Sequence, residues 1–406
     1  MSRYPVGRMA LSRSLHGAVT QLPIIKRSVC VPGSSMNART DEAPDSSVAA
    51  AEDVWKAVQT FYSTLPELDG DIKSKTFNLA TQSYGGHWGP VFFNHIRKQN
   101  DLKAGNRTSG QVGLDIGALL VIQGLVDYKT QSPSYPRFAR NNTHGIELNE
   151  TLVSYMETAL HMPSFGCLDL LATCEEAEQS SGETSLIAAI QCNTAVSMCR
   201  NTVELIYVLR SPEQDIYDIR NHSLHPQPDS AYPAWLNTGE VQQAIGVDLN
   251  YSGSNSVEVY GQFHFTGDWI RSRPLTDLSE LLESGTRVAL MFGDADYILN
   301  WQGGQNLSLA VNFTESERFR NSGYVPLVTD GKRYGDTREA DNFSFTRLFD
   351  AGHDAPFYQP KAALALFNRT IHGWDIATGT EVVGPGFATV GDKESTYSQK
   401  EGDSTE

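Results

Sequence analysis

The chain has 406 residues and a formal net charge of −16, with charged and apolar fractions of 20% and 40% that suit a folded globular protein. So acidic a surface repels phosphates and argues against a nucleic-acid partner, and no apolar run is long enough to span a bilayer. The length allows one large α/β domain or two smaller ones.

The charge is uneven along the chain. Met1 to Arg39 carries Arg3, Arg8, Arg13, Lys26, Arg27 and Arg39, and Asp41 is the first acid. A basic, serine-rich start without acids has the composition of a mitochondrial transit peptide and lacks the apolar core of a secretory signal. Residues 1–47 are expected to form a disordered, atypical leader, with a misassigned or truncated start as a further reading. "SSVAAAEDVWKAVQTFYSTLPEL" (Ser46 to Leu68) then reads as a helix with Val54, Val58, Phe61 and Tyr62 on its apolar face.

"SKTFNLA" (Ser74 to Ala80) alternates like a strand, and "PVFFNHIRKQN" (Pro90 to Asn100) has helical spacing behind a helix-starting proline. Between them lies "TQSYGGHWGP". A serine on a tight turn between strand and helix is a nucleophile elbow, in which small residues let the helix pack close. The usual Gly-x-Ser-x-Gly pattern keeps its second glycine as Gly85 and has Thr81 in place of the first; a turn with an incidental serine is the plain alternative.

"GALLVIQGLVD" (Gly117 to Asp127) is a continuous apolar run of the kind buried in a parallel sheet. From about 128 to 270 the chain changes to helices and loops, which suggests an inserted cap. Within it Cys167, Cys174, Cys192 and Cys199 fall in two pairs, each spaced by seven, so each pair lies along one helix face. Two antiparallel helices joined at "EEAEQSSGETS" would bridge Cys167 to Cys199 and Cys174 to Cys192. Zinc is the rival reading, without the tight chelating spacing that zinc uses. Nine Asn-x-Ser/Thr sequons (Asn106, Asn141, Asn149, Asn221, Asn250, Asn306, Asn312, Asn342 and Asn368) favour a glycosylated, extracytoplasmic protein over a mitochondrial one.

Strand character returns in "TRVALMFGDAD" (Thr286 to Asp296) and "FSFTRLFDAGHDAP" (Phe343 to Pro356), while 379–406 reads as a disordered acidic tail. A nucleophilic serine needs a base, and the base an orienting acid. The chain supplies Ser83, then Asp294 or Asp296, then His353, each just past a strand, in the order α/β-hydrolases use. His87 is too near Ser83 to act as a separate base, and His222, His225 and His372 lie in polar stretches.

"SYGGHWGP", "FGDADYILNWQGG" and "DAGHDAPFYQPKAAL" closely resemble the serine carboxypeptidases, in particular their fungal branch; "YPRFARNNTHGI", "DIYDIR" and "VQQAIGVDLNYS" resemble that branch too. The resemblance implies an α/β-hydrolase fold over 48–378, a mostly parallel sheet flanked by helices with a disulfide-bonded helical cap. It implies removal of C-terminal residues from peptides, a secreted or vacuolar address, and no metal or cofactor. By it Ser83 is the nucleophile, His353 the base and Asp296 the orienting acid, with the Tyr84 N–H on the oxyanion. Gln82 stands where the family carries a carboxylate-binding Glu, and Asp354 falls beside the pocket for the leaving residue.

The family's N-terminal "Asn-Gly-Gly-Pro-Gly-Cys-Ser-Ser" has no counterpart here, so the sheet is expected to be incomplete on its N-terminal side. The alternatives are an acyltransferase with the same triad and a non-catalytic product without the second oxyanion donor. Oligomeric state is not legible in the sequence.

Overall fold

The computed structural model describes residues 44–68, 70–71, 74–102, 111–207, 215–221, 231–246, 250–251 and 257–398, with the backbone of 30–31 and 34–35. Most of the expected leader, Asn106, His222, His225 and residues 399–406 lie outside these. The chain divides into two compact units that cut across the expected boundaries. One comprises Met1–Thr76, His95–Asp115 and Asp229–Gln262; the other comprises Phe77–Asn94, Ile116–Pro228 and Phe263–Glu406.

The first unit contains helix α1 (Ser47–Leu68). Its buried stripe is Ala51, Trp55 and Leu65, with Val58 and Tyr62 partly covered, a spacing of four, three, four and three. Val54, Val58, Phe61 and Tyr62, the expected apolar face, are all half-buried, and Trp55, which that face did not include, is the buried aromatic residue.

The second unit holds a six-stranded mixed sheet. Its strands are β1 (Thr76–Gln82), β2 (Asp115–Ile122), β3 (Arg287–Gly293), β4 (Val325–Thr329), β5 (Lys332–Ala340) and β6 (Phe343–Leu348), in the order β1-β2-β3-β6-β5-β4. β2 with β3 and β3 with β6 are parallel pairs, with Leu119 opposite Val288 and Val288 opposite Phe343. Leu119, Val121, Val288, Leu290 and Phe292 enter one core cluster. Leu120, Ile122, Ala289 and Met291 enter the cluster on the opposite face, with Ala362, Ala363 and Leu366 of the helix Pro360–His372. Burial on both faces explains why these strands read as unbroken apolar runs.

β4, β5 and β6 form an antiparallel meander that the hydrophobic pattern did not reveal. Its first turn is Asp330-Gly331, both at positive φ (52° and 75°), a hairpin signal the sequence carries openly. The acidic tail also departs from expectation: through Ser398 it is ordered. Thr389 N–H donates to Glu339 O (2.9 Å), Tyr324 N–H to Asp392 O (2.6 Å), and Tyr397 stacks on Phe349 at 3.8 Å. Backbone hydrogen bonds hold this strap, so its low apolar content is no sign of disorder.

In the cap, helices Cys167–Ser181 and Leu186–Cys199 form the expected antiparallel hairpin, with the turn confined to 182–185 because the first helix runs through "EEAEQSS". The bridges are Cys167–Cys199 and Cys174–Cys192, so none of these four sulfurs is a thiolate that could hold zinc. No described helix is long and apolar enough to cross a membrane.

Candidate active site

β1 ends at Gln82 and helix α2 (Gly85–Leu102) begins three residues later, five earlier than the proline suggested. Pro90 lies inside α2 as its sixth residue, past the donors that lack an intrahelical partner, so the ladder loses the bond that an N–H at 90 would make to Gly86 O. Ser83 occupies the bend at φ 61°, a strained conformation for a residue with a Cβ. Its N–H donates to Ile122 O (3.0 Å), and its carbonyl accepts from Gly86 N–H (2.9 Å) and Leu125 N–H (3.0 Å). A Cβ at Gly86 would fall 2.5 Å from Gly124 Cα, and one at Gly89 2.8 Å from the Thr81 side chain. The glycines and the threonine are therefore one packing unit, which lets α2 lie against the end of β2.

β3 delivers the acids. Asp294 N–H donates to Leu348 O (3.0 Å) and Ala295 N–H to Ala351 O (2.9 Å), so the turn after β3 is bonded to the chain after β6. Asp296 is fully buried, and its Oδ2 lies 2.8 Å from His353 Nδ1. Asp294, also fully buried, faces His144 Nε2 (3.5 Å) and Arg347 Nη2 (3.8 Å). Burial raises the pKa of the Asp296 carboxyl against the pull of His353. Burial would lower His353, but the Asp296 carboxylate overcomes it and the imidazole titrates above its ordinary value.

Gln82 Nε2 donates to His353 O (3.2 Å) and to Asp354 Oδ1 (2.5 Å), which brings the residue before Ser83 against the backbone of the histidine. Both amide hydrogens are thereby occupied inside the protein. Gln82 thus supports Asp354 in this arrangement, from the position at which the family resemblance implies a carboxylate-binding Glu.

Sequence reasoning assigned no role to Tyr217 or Asp268. Tyr217 is exposed, its ring lies 4.9 Å from that of His353, and its carbonyl accepts from His353 N–H at 2.7 Å. Ile216 O accepts from Tyr297 N–H and Ile298 N–H, tying "DIYDIR" to the acid's turn. Asp268 is buried and accepts from the Tyr84 phenol. His87 stacks on Tyr84, and His372 is exposed with Nδ1 on Asn368 O (2.8 Å). Among the described sequons, Asn141, Asn149, Asn250, Asn312 and Asn368 are exposed, while Asn221, Asn306 and Asn342 are half-buried.

The family described as serine carboxypeptidase matches residues 31–373. The chain is 36% identical over 327 residues to "Carboxypeptidase S1" of Penicillium janthinellum, covering 80% of this chain and 72% of that protein. It is 35% identical over 347 residues to "Carboxypeptidase S1 homolog B" of Arthroderma otae, covering 82% of this chain and 51% of the relative. It thus spans about half the length of several relatives that it matches. The fold is shared with the crystal structure of a prohormone-processing carboxypeptidase from Saccharomyces cerevisiae, at a TM-score of 0.53 and 18% identity over 87% of this chain and 72% of that one.

Proposed function

The chain belongs to the serine carboxypeptidase family, and from that premise we propose that it releases C-terminal amino acids from peptides and proteins by a Ser83-Asp296-His353 triad. One observation carries the reading: the buried 2.8 Å pair of His353 and Asp296, joined through Gln82 to the strained bend at Ser83. Asp296 holds the Nδ1 proton, which leaves Nε2 to take the Ser83 hydroxyl proton as the oxygen attacks the last peptide carbonyl. The Tyr84 N–H stabilises the developing oxyanion. His353 then returns the proton to the leaving amine, and water, activated by the same imidazole, hydrolyses the acyl-enzyme.

Asp354, next to the base, faces the leaving residue and favours a basic side chain there. The two disulfides and the exposed sequons support a secretory route, ending in secretion or the vacuole.

Release of the terminal residue from a blocked dipeptide tests the activity. It is expected from the chain and lost in Ser83→Ala. Equal release from both overturns the reading, and product formed only with an added alcohol acceptor assigns an acyltransferase.

A further inference from the structure

A second buried carboxylate reaches the serine bend from the cap side. Asp268 opens the three-residue 3₁₀ turn Asp268–Ile270 and is 2% exposed. Its Oδ2 accepts a hydrogen bond from the Tyr84 phenol at 2.5 Å. The Tyr84 ring is held on several sides: it stacks on His87 (5.4 Å between centroids, 12° between planes) and meets Trp269 at 5.0 Å and Phe263 at 6.2 Å. His87 Nε2 is 3.6 Å from the same Asp268 oxygen, beyond hydrogen-bond distance, whereas the phenol donates to it directly.

The turn presenting Asp268 is itself fixed. Gly267 has φ 68°, and a Cβ there would lie 2.4 Å from Cys192 Cβ, whose sulfur is bridged to Cys174. A disulfide-braced segment therefore grips Tyr84 by the outer end of its side chain. At the inner end its backbone follows Ser83, itself at φ 61° and tied by hydrogen bonds to Ile122 and Leu125. Anchoring a side chain at its tip restricts the backbone torsions at its base, and a hydrogen bond to a carboxylate is of the stronger, charge-assisted kind.

We propose that Asp268 is a positioning residue for acyl transfer at Ser83: by holding the Tyr84 phenol it fixes the Ser83–Tyr84 peptide plane, and with it the N–H directed at the oxyanion. The inference rests on Ser83 being the nucleophile. It differs from a purely structural role in what it predicts. Loss of the bond slows bond formation at Ser83 and leaves binding and folding largely intact, because the rings around Tyr84 remain packed.

The test is labelling of the 406-residue chain by a fluorophosphonate, whose P=O oxygen occupies the oxyanion position, with maximal rate and saturation constant measured separately. Tyr84→Phe is expected to lower the maximal rate roughly 10- to 100-fold, with little change in the saturation constant or the thermal midpoint. Asp268→Ala is expected to do the same, Asp268→Asn to restore most of the rate because the amide oxygen still accepts, and the double variant Tyr84→Phe/Asp268→Ala to be no slower than either single one. A Tyr84→Phe protein that labels at the unaltered rate, or single losses that multiply in the double variant, overturns the proposal. If Asp268→Ala does not fold, Tyr84→Phe decides alone, since it removes the same bond from the other side. Ser83→Ala separates the two assignments. Labelling that persists in it, or fails in the unaltered protein, removes the nucleophile and this inference together; labelling abolished by it but untouched by Tyr84→Phe removes the role of Asp268 only.

Discussion

Asp296 Oδ2 and His353 Nδ1 lie 2.8 Å apart, whereas Asp294, two residues earlier in the same turn, is directed toward Arg347 and His144. Two buried acids in "GDAD" therefore have different work. Asp296→Asn should lower kcat by about 10⁴-fold, and Ser83→Ala or His353→Ala by as much or more. Asp294→Asn should leave kcat within a few-fold while destabilising the fold by roughly 1–3 kcal/mol, because the buried Arg347 charge loses a nearby counter-charge. Peptide hydrolysis and chemical denaturation on the same variants check both halves.

Asp354 carries the specificity prediction. Its carboxylate lies beside the base and is held by Gln82 at 2.5 Å. A partly exposed acid there should favour C-terminal Lys or Arg by about 1 kcal/mol. Asp354→Asn should bring kcat/KM for peptides ending in Lys down toward that for Leu. Equal values for the two in the unaltered protein would sink the claim.

Arg347 fastens the C-terminal strap. Its guanidinium, 1% exposed, donates to Ser395 O (2.7 Å) and Tyr397 O (2.6 Å). Removing residues 393–406 should cost roughly 2–4 kcal/mol in unfolding free energy, as the charge-assisted bonds to Ser395 O, Ser395 Oγ and Tyr397 O vanish from a buried cation. The same truncation in an Arg347→Met background should cost clearly less; equal losses would place the effect elsewhere in the strap.

Glu339 predicts a pH dependence of stability. Burial pushes its carboxyl up to about 7, against the opposing pull of Arg287 (2.6 Å) and the Ile376 N–H (2.8 Å). Between the ordinary glutamate pKa and this one, the folded state binds the extra proton. The contribution is therefore complete below about pH 4.5 and is lost as the pH rises through about 7, on the order of 3 kcal/mol in all. Urea unfolding of Glu339→Gln should lack this downward slope, and an unchanged slope would refute the assignment.

The sequons divide by geometry. Asn342 Nδ2 donates to Leu282 O (2.9 Å) and Thr286 O (2.8 Å), so the nitrogen that would carry a sugar has both hydrogens engaged. Asn312 and Asn368 are exposed. Enzymatic deglycosylation with peptide mapping should find the latter two converted to Asp and Asn342 unconverted.

How far the sequence reaches follows from how local each cause is. The elbow, the buried strands around Leu119 and Leu290 and the cysteine hairpin were all legible, because each rests on a spacing within one or two elements: strand-turn-helix, an apolar run, cysteines seven apart. The Asp330-Gly331 hairpin signal is equally local, but β4 (VPLVT) is short and carries a proline and β5 (KRYGDTREA) is largely charged and polar, so neither reads as an apolar strand.

The rest depended on contacts between residues far apart in the chain. The residue types of Ser83, Asp296 and His353 and their order along the chain were determined by the sequence alone. Which acid meets the histidine was decided by hydrogen bonds from Asp294 and Ala295 to Leu348 and Ala351, more than fifty residues away. The order of the acidic tail was decided by a cation buried in β6, and the grip on Tyr84 by a turn 184 positions downstream. Periodicity and composition record what a segment does with its own neighbours. A hydrogen bond between distant segments leaves no such record, because either partner alone looks like an ordinary polar residue in a loop.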